Sequence, residues 1–358
     1  MFARLIFGDA LTTELLFGDL ILGGAIVVAV SVVLTRLADR FATEWGLGKA
    51  IVGMLLLATV TSLPEVVSGA TSGAIGAVDM AFGAIYGSCA FNIVIIAIMN
   101  LFYRRGGSVL SNAGPGQVLS SSFGIILITF SLMAMTVVDR YADRPGVQQG
   151  VEITAFAMIV VAYVMFMSLA QKFERRSAAP EEATTPPHRS IGLLVQILVV
   201  AVLTVAAAWW LTRTGDVLSE HPIAALGGRP LGKTAVGIIF LAVATSLPEI
   251  ATSITAVRMN NLDMALGNVF GSNMFNMLVL PVVKIATLAS GDRLVMSGPD
   301  FSVDANVFAG LLPIILTGVA VAGMAYRTQR RVLKLGVDSV LLVLVYAAGM
   351  FVLLTRTG

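Results

Sequence analysis

Two carboxylates lie in identical sequence surroundings, because the pentapeptide Thr-Ser-Leu-Pro-Glu ends once at Glu65 and once at Glu249. Each glutamate lies about midway along an apolar stretch, where a charged side chain is costly and usually functional. The proline before it lacks a backbone N–H and clashes with the carbonyl four residues back, which interrupts a helix. Inside a membrane, an interrupted helix persists only where the freed backbone groups line a cavity or meet a ligand. The two pentapeptides therefore indicate a binding site for a polar solute.

A second string, Gly-Ser-x-x-Phe-Asn, also occurs twice and adds neutral oxygens. Its serine and asparagine are four residues apart and so share one helix face. Apart from the two glutamates, the candidate ligands are Thr61, Ser62, Ser88, Asn92, Thr245, Ser246, Ser272 and Asn276. Oxygen ligands without sulfur or imidazole suit hard cations such as Ca²⁺ and Na⁺. Two close carboxylates repel each other without a cation, so monovalent ions or protons must replace a departing divalent ion, as in an exchanger.

The two strings belong to one internal repeat. Residues 47–92 align without a gap on residues 231–276, and 21 of the 46 aligned residues are identical. The identities include a pair of glycines four residues apart in each copy, which allows another backbone to approach closely. These glycines are Gly83 and Gly87 in the first copy and Gly267 and Gly271 in the second. Internal repeats that carry interrupted helices are typical of membrane transporters.

The composition places this repeat in a membrane. Of 358 residues, 57% are hydrophobic and 12% are charged, whereas a soluble domain has about 25% charged residues. The balance of 23 Lys and Arg against 21 Asp and Glu excludes a nucleic-acid partner, and one cysteine with two histidines excludes a disulfide framework and a Cys- or His-based metal site. A transmembrane helix needs about 20 apolar residues. We predict ten spans, at about 19–37, 48–73, 80–102, 118–138, 151–170, 191–211, 232–257, 264–285, 306–326 and 337–354.

The connections between the spans predict their orientation. When the connections are assigned alternately to two sides, one side carries 14 Lys and Arg and the other carries 9. The richer side should be cytoplasmic, which places both termini outside. Five spans separate equivalent helices of the repeat, so the two copies enter the membrane from opposite sides. We therefore predict an all-α integral membrane protein of ten transmembrane helices in two inverted five-helix halves, residues 1–170 and 191–358, joined by a cytoplasmic linker at 171–190.

At these motifs the sequence resembles the sodium/calcium exchangers of the cation/Ca²⁺ antiporter superfamily, whose two α-repeats carry a G-T-S-x-P-E-like segment followed by G-S-N-x-x-(N/D). The resemblance implies alternating access, with Na⁺ entry driving Ca²⁺ extrusion and cation ligands at the glutamates, hydroxyls and amides named above. It also implies that the backbone carbonyls of Ala58 and Ala242 are Na⁺ ligands. The first and sixth spans, which we expect to hold no buried charge, would form a sliding gate. Ca²⁺ and Na⁺ are then transported substrates, and no cofactor is expected.

The sequence departs from the family pattern at three places. Val60 and Ala244 stand where the family often has a glycine before Thr-Ser. Cys89 replaces the asparagine of G-S-N in the first copy, whereas Asn273 keeps it in the second. The last position of the string is an asparagine in both copies, where some microbial members have one aspartate. The last departure lowers the negative charge of the site.

Three other functions remain open at this stage: an H⁺/Ca²⁺ or other divalent cation antiporter, an intramembrane hydrolase with paired acids, and a passive cation channel. A hydrolase would need proton donors placed for water attack, and the sequence shows no such set. Symmetry within one chain favours a carrier over a channel built from an oligomer. H⁺ coupling predicts transport that does not depend on Na⁺. We expect a non-enzymatic protein of the prokaryotic inner membrane, surrounded by lipid and without an obligate protein partner.

Overall fold

The computed structural model describes residues 12–104, 106–177, 190–220, 222–223, 229–230, 245–291, 296, 301–332 and 335–357. The helices are α1 Thr13–Trp45, α2 Lys49–Val52, α3 Ala58–Thr61, α4 Leu63–Ala74, α5 Val78–Phe102, α6 Pro115–Asp139, α7 Pro145–Ser177, α8 Ile191–Glu220, α9 Leu247–Arg258, α10 Leu262–Ser290, α11 Val303–Tyr326 and α12 Val337–Thr357. A π-helix, Gly53–Leu57, joins α2 to α3, and a short 3-10 turn spans Leu110–Asn112. Two small antiparallel hairpins pair β1 Pro222–Ile223 with β2 Arg229–Pro230 and β3 Arg331–Val332 with β4 Leu335–Gly336.

Seven of the described helices are long and apolar enough to cross a bilayer, and each matches a predicted span: α1, α5, α6, α7, α8, α10 and α11. An eighth span consists of Lys49–Thr61 and Leu63–Ala74, which meet at an angle of 42°. Of the predicted span at 232–257, residues 231–244 lie outside the described part of the chain, so only α9 can be compared. The apolar part of α12, Val337–Leu353, is shorter than the other spans. A helical membrane protein is therefore confirmed, whereas the number of ten spans stays a prediction.

Helix α7 extends beyond both ends of the predicted fifth span. It begins at Pro145, because proline fits the first turn of a helix. It continues to Ser177, since residues 171–177 contain neither Gly nor Pro and since Arg175 and Arg176 interact favourably with the carboxyl end of the helix dipole. The first seven residues of the predicted linker are therefore helical. Residues 178–189 lie outside the described part of the chain.

Helix α10 packs against the first half of the broken span at backbone distance. A Cβ atom on Gly267 would lie 2.5 Å from the carbonyl oxygen of Ala50, and one on Gly271 would lie 2.7 Å from the Cα of Met54. Any side chain larger than hydrogen would push the two helices apart. The close backbone approach predicted for this glycine pair is therefore confirmed, and it fixes the distance across which the two motifs face each other.

Replacing Gly271 with alanine is expected to destabilise the protein by about 1–3 kcal/mol, the usual cost of overpacking a tight contact. The added Cβ would also lie 2.9 Å from the Cβ of Ala58. The measurement is the thermal unfolding midpoint of the purified protein in detergent. Gly150, an exposed glycine within α7, provides the matched control, because no atom of the described residues lies within 4 Å of a Cβ placed there. Equal midpoints for Gly271→Ala and Gly150→Ala would contradict this packing argument.

Helices α1 and α8, the first and sixth predicted spans, pack along each other and enclose a carboxylate. Asp19 on α1 is 7% exposed. It accepts hydrogen bonds from the indole N–H of Trp210 at 3.1 Å and from the hydroxyl of Thr214 at 2.8 Å. The expectation that these two spans hold no buried charge is therefore wrong. The two donors on α8 offset the cost of removing the carboxylate from water, and neither lies near Asp19 in the sequence.

A buried ion pair joins α7 to α10. The ammonium group of Lys284 donates to the carboxylate of Glu152, and the two side chains are 4% and 0% exposed. The other carboxylate oxygen of Glu152 accepts the backbone N–H of Met296 at 2.8 Å. By sequence, Glu152 lies at the end of its predicted span, where water would solvate it. The structure instead buries it in contact with Lys284.

Candidate cation-binding site

The pentapeptide Thr-Ser-Leu-Pro-Glu interrupts the helix at the same residue in both copies. Between α3 and α4, Ser62 has φ −95° and ψ 4°. Immediately before α9, Ser246 has φ −91° and ψ 10°. Pro64 and Pro248 lie in the first turn of the new helix, where a missing N–H is tolerated. The predicted interruption is confirmed in both copies, and it places each glutamate in a first helical turn, where negative charge is favourable.

The two copies meet at Ser62 and Glu249, which are 0% and 1% exposed. The Ser62 hydroxyl lies 3.4 Å from Oε1 of Glu249. This distance is longer than a usual hydroxyl hydrogen bond of about 2.5–3.0 Å. Among the described residues, no group donates to the other carboxylate oxygen, Oε2. The described residues therefore satisfy this buried carboxylate only in part.

Helices α5 and α10 cross at the second string, Gly-Ser-x-x-Phe-Asn. The side-chain amide of Asn92 donates to Oδ1 of Asn273 at 3.0 Å, and the amide of Asn273 donates to the backbone carbonyl of Cys89 at 3.0 Å. The amide of Asn276 reaches the Cys89 sulfur at 3.7 Å. These contacts use the amide N–H groups, and no group of the described residues donates to the amide oxygens of Asn92 and Asn276.

Five buried side-chain oxygens of the two motifs accept no hydrogen bond from the described residues. They are Oε2 of Glu65, Oδ1 of Asn92, Oε2 of Glu249, Oγ of Ser272 and Oδ1 of Asn276. Leaving a buried polar group unpaired costs about 1–3 kcal/mol, so a cluster of such groups calls for an explanation. All five are the hard oxygen donors that Ca²⁺ and Na⁺ bind. Within the described residues, no three His, Cys, Asp or Glu side chains group closely enough to hold a metal ion, so a cation here would rely on neutral oxygens as well.

Most of the predicted ligands are buried. The buried residues are Ala58, Thr61, Ser62, Asn92, Ser246, Glu249, Ser272 and Asn276. Glu65, Ser88 and Thr245 are half-buried, and Ala242 lies outside the described residues. The carbonyl oxygen of Ala58 accepts the Ser62 N–H at 3.1 Å and lies 3.5 Å from the Thr61 hydroxyl, so it keeps a helical hydrogen bond.

The two copies differ in their exposure. Glu65 and Ser88 are half-buried, whereas their counterparts Glu249 and Ser272 are buried. On the second side, the backbone of α10 lies directly against the broken helix at Gly271. Among the described residues, the motif side chains of the first copy are therefore more exposed than their counterparts in the second copy.

Asn268 is a polar residue of the site that the alignment of the two copies does not predict. It is fully buried, and its Oδ1 lies 3.5 Å from the hydroxyl of Thr61. Asn268, Ser272 and Asn276 are spaced by four residues and so share one face of α10. This spacing was visible in the sequence, but the first copy has Ala84 at the equivalent position, so the alignment of the two copies does not draw attention to it.

The sequence is similar to that of known membrane proteins. A sequence profile described as "Sodium/calcium exchanger protein" matches residues 15–171 and 192–355. The chain is 28% identical over 291 residues to the inner membrane protein YrbG of Escherichia coli K12, covering 79% of this chain and 83% of YrbG. It is 32% identical over 92 residues to sodium/potassium/calcium exchanger 5 of Homo sapiens, covering 26% of this chain and 16% of that protein.

The fold is similar to that of the sodium-calcium exchanger NCX_Mj, solved after soaking with 10 mM Na⁺ and zero Ca²⁺. The TM-score is 0.66 at 17% identity, covering 95% of this chain and 99% of that chain. At this identity the likeness establishes the fold. The family assignment comes from the profile, which matches nearly the whole chain, including both copies of the repeat. The chain therefore belongs to the sodium/calcium exchanger family of membrane antiporters.

Proposed function

We propose that this protein exchanges Na⁺ for Ca²⁺ across the membrane by alternating access. The observation that carries the proposal is the cluster of five unpaired buried oxygens shared by the two motif copies. Two carboxylates match the charge of one Ca²⁺, and the neutral oxygens supply the rest of the about six to eight ligands that Ca²⁺ takes. The proposed ligands are Glu65, Glu249, Thr61, Ser62, Thr245, Ser246, Ser88, Asn92, Ser272, Asn276 and the backbone carbonyls of Ala58 and Ala242.

The neutral oxygens favour Na⁺ over H⁺ as the coupling ion. A proton binds to a single carboxylate oxygen and needs no further ligands, whereas a Na⁺ ion must replace most of its water shell with protein oxygens. Ser272, Asn92 and Asn276 each hold a buried oxygen without a donor among the described residues, and a protonated glutamate could donate to only one of them. A Na⁺ ion would satisfy several of these oxygens at once. The H⁺/Ca²⁺ antiporter is therefore the alternative outcome of the transport experiment below.

We further propose that the two halves are inverted repeats of five spans each. Cys89 and Asn273 occupy equivalent positions of the two copies. They contact each other, since the Asn273 amide donates to the Cys89 carbonyl at 3.0 Å and the Cys89 thiol lies 3.9 Å from the Asn273 carbonyl. A residue that contacts its own counterpart lies close to the axis that relates two copies. The matching backbone angles at Ser62 and Ser246 support the same relation.

The proposed orientation places the two copies toward opposite solutions. With both termini outside, α5 would enter from the outside, so Ser88 and Glu65 would lie toward the external solution. Helix α10 would enter from the cytoplasm, which puts Ser272 on the cytoplasmic side. A carrier with inverted repeats opens its site to these two solutions in turn.

Proteoliposomes loaded with Na⁺ and diluted into Na⁺-free buffer with radioactive Ca²⁺ are expected to accumulate Ca²⁺. The physical reason is that Na⁺ leaving down its gradient drives Ca²⁺ in through the shared site. Vesicles loaded with choline are the control and should accumulate none. A pH gradient imposed in Na⁺-free medium tests the alternative. Accumulation driven by the pH gradient and indifferent to Na⁺ would reject Na⁺ coupling in favour of an H⁺/Ca²⁺ antiporter.

The proposed orientation in a prokaryotic inner membrane can be tested by cysteine labelling in a Cys89→Ala background. Ala183→Cys, in the predicted cytoplasmic linker, is expected to react with an impermeant maleimide only after the cells are opened. Asp304→Cys, at the exposed start of α11, should react in intact cells. The reverse pattern would invert the topology and would place Glu65 and Ser88 toward the cytoplasm.

A further inference from the structure

A buried cluster beside the site distinguishes the second copy from the first. On α10 the residue one turn before Ser272 is Asn268, whereas on α5 the residue one turn before Ser88 is Ala84. Asn268 contacts Thr252 and Ser253 on α9. The first copy has Ser68 and Gly69 at the positions that correspond to these two. All three members of the cluster therefore belong to the second copy only.

The side-chain amide of Asn268 is held in one orientation. Its two N–H groups donate to the hydroxyl oxygens of Thr252 and Ser253, each at 3.0 Å. Thr252 can accept because its own hydroxyl proton is directed to the backbone carbonyl of Pro248 at 2.8 Å. With both amide protons engaged on α9, the carbonyl end of the amide must face the opposite side. That side is Thr61, whose hydroxyl oxygen lies 3.5 Å from Oδ1 of Asn268.

The distance between these two oxygens fits a shared cation better than a hydrogen bond. A hydroxyl hydrogen bond has an oxygen–oxygen distance of about 2.5–3.0 Å, and the Thr61 hydroxyl has a closer acceptor in the carbonyl of Leu57, at 3.0 Å. Two oxygens that each lie about 2.3–2.6 Å from one hard cation, at right angles, are about 3.3–3.7 Å apart. The separation of Thr61 Oγ1 and Asn268 Oδ1 falls in this interval.

A second observation points to a ligand at the same place. The hydroxyl oxygen of Ser272, one turn beyond Asn268 on the same face of α10, is fully buried and has no hydrogen-bond partner among the described residues. Glu249 lies on this side as well, because its carboxylate is 3.4 Å from the hydroxyl of Ser62, the neighbour of Thr61. One carboxylate and three neutral oxygens carry a single negative charge, which matches a monovalent cation.

We propose that Asn268 is an additional ligand of this site and that its Oδ1 helps to bind a Na⁺ ion beside Thr61, Ser272 and Glu249. Thr252 and Ser253 are positioning residues that keep the amide in its binding orientation. The inference rests on the proposed function, and it adds that the two halves of the site differ in their affinity for Na⁺. The Thr61 side has one more neutral oxygen than the opposite side, where Ala84 offers none. The Thr61 side is therefore the higher-affinity position for Na⁺.

The test is binding of radioactive Ca²⁺ to the purified protein in detergent, with and without competing Na⁺. Asn268→Ala is expected to raise the Na⁺ concentration that displaces half of the Ca²⁺ by about tenfold, the effect of losing about 1.4 kcal/mol of ligand interaction. Its Ca²⁺ affinity in Na⁺-free buffer should stay close to that of the wild type. Thr252→Val, which keeps the ligand but removes one anchor, should shift Na⁺ competition in the same direction by a smaller factor.

Ser68→Ala is the matched control, because Ser68 is the exposed counterpart of Thr252 in the first copy, and it should leave both affinities unchanged. If Asn268→Ala does not fold, the Na⁺ concentration that displaces half of the Ca²⁺ from Thr252→Val decides whether the proposal holds. Unchanged Na⁺ competition, or an equal loss of Na⁺ and Ca²⁺ affinity, would overturn the proposal while the proposed function stands. Wild-type Ca²⁺ binding that Na⁺ cannot displace would overturn both.

Discussion

Replacing Glu249 with glutamine is expected to lower Ca²⁺ binding and Na⁺-driven Ca²⁺ transport by about 100-fold or more. The change keeps the shape of the side chain but removes one of the two charges that balance Ca²⁺. Uncompensated charge in a buried pair costs about 3–5 kcal/mol, and each 1.4 kcal/mol is about tenfold in affinity. Glu249 is 1% exposed, so water cannot substitute for the missing ligand. Ca²⁺ uptake into proteoliposomes measures the effect.

The same result is expected for Glu65→Gln, because neither carboxylate alone neutralises a divalent cation. Glu14→Gln provides the matched control, since Glu14 is an exposed glutamate near the start of α1 and should be replaceable without loss of transport. The thermal unfolding midpoints of all three variants show whether the protein remains folded. Near-wild-type transport by either Glu249→Gln or Glu65→Gln would contradict the proposed site.

Replacing Lys284 with methionine is expected to destabilise the protein by about 3–5 kcal/mol, the second large effect. Methionine fills much of the space but removes the ammonium group that pairs with the buried Glu152 carboxylate, and breaking one side of a buried ion pair is costly. Both side chains are almost fully buried, on α10 and α7. The thermal unfolding midpoint in detergent, measured together with the yield of folded protein, reports the loss.

The double variant Lys284→Met, Glu152→Gln tests whether the isolated charge is the cause. Glutamine removes the charge and keeps an oxygen that can accept the Met296 N–H, as Glu152 does at 2.8 Å. The double variant is therefore expected to regain most of the lost stability. If it is as unstable as Lys284→Met alone, the packing of the lysine stem, rather than the ion pair, joins α7 to α10.

The candidate site could be found from the sequence because its chemistry is local and duplicated. Proline within an apolar stretch interrupts a helix whatever lies around it, and the structure has the break next to Ser62 and Ser246 as expected. Helical spacing places residues four apart on one face. The duplication then distinguishes Glu65 and Glu249 from the acidic residues that lie at ordinary helix ends. Seven long apolar helices and the broken span followed from hydropathy alone.

The internal repeat does not predict every polar residue of the site. Asn268 is absent from the predicted set because the first copy has Ala84 in its place, so a comparison of the two copies draws attention only to what they share. The close packing of Gly271 against Met54 could be expected in kind, but the partner of the glycine could not. Identity between the copies reveals symmetric ligands, whereas an unequal ligand becomes visible only when its neighbours are known.

Contacts between distant parts of the chain depend on how the helices pack. Asp19 and Glu152 both lie near the ends of predicted spans, where solvent exposure was the simplest expectation. Asp19 is instead buried against Trp210 and Thr214 on α8, and Glu152 against Lys284 on α10. Hydropathy and helical periodicity describe the surroundings of a residue within its own helix. The donor or cation that makes a buried carboxylate stable comes from another helix, and only the packed arrangement of helices specifies it.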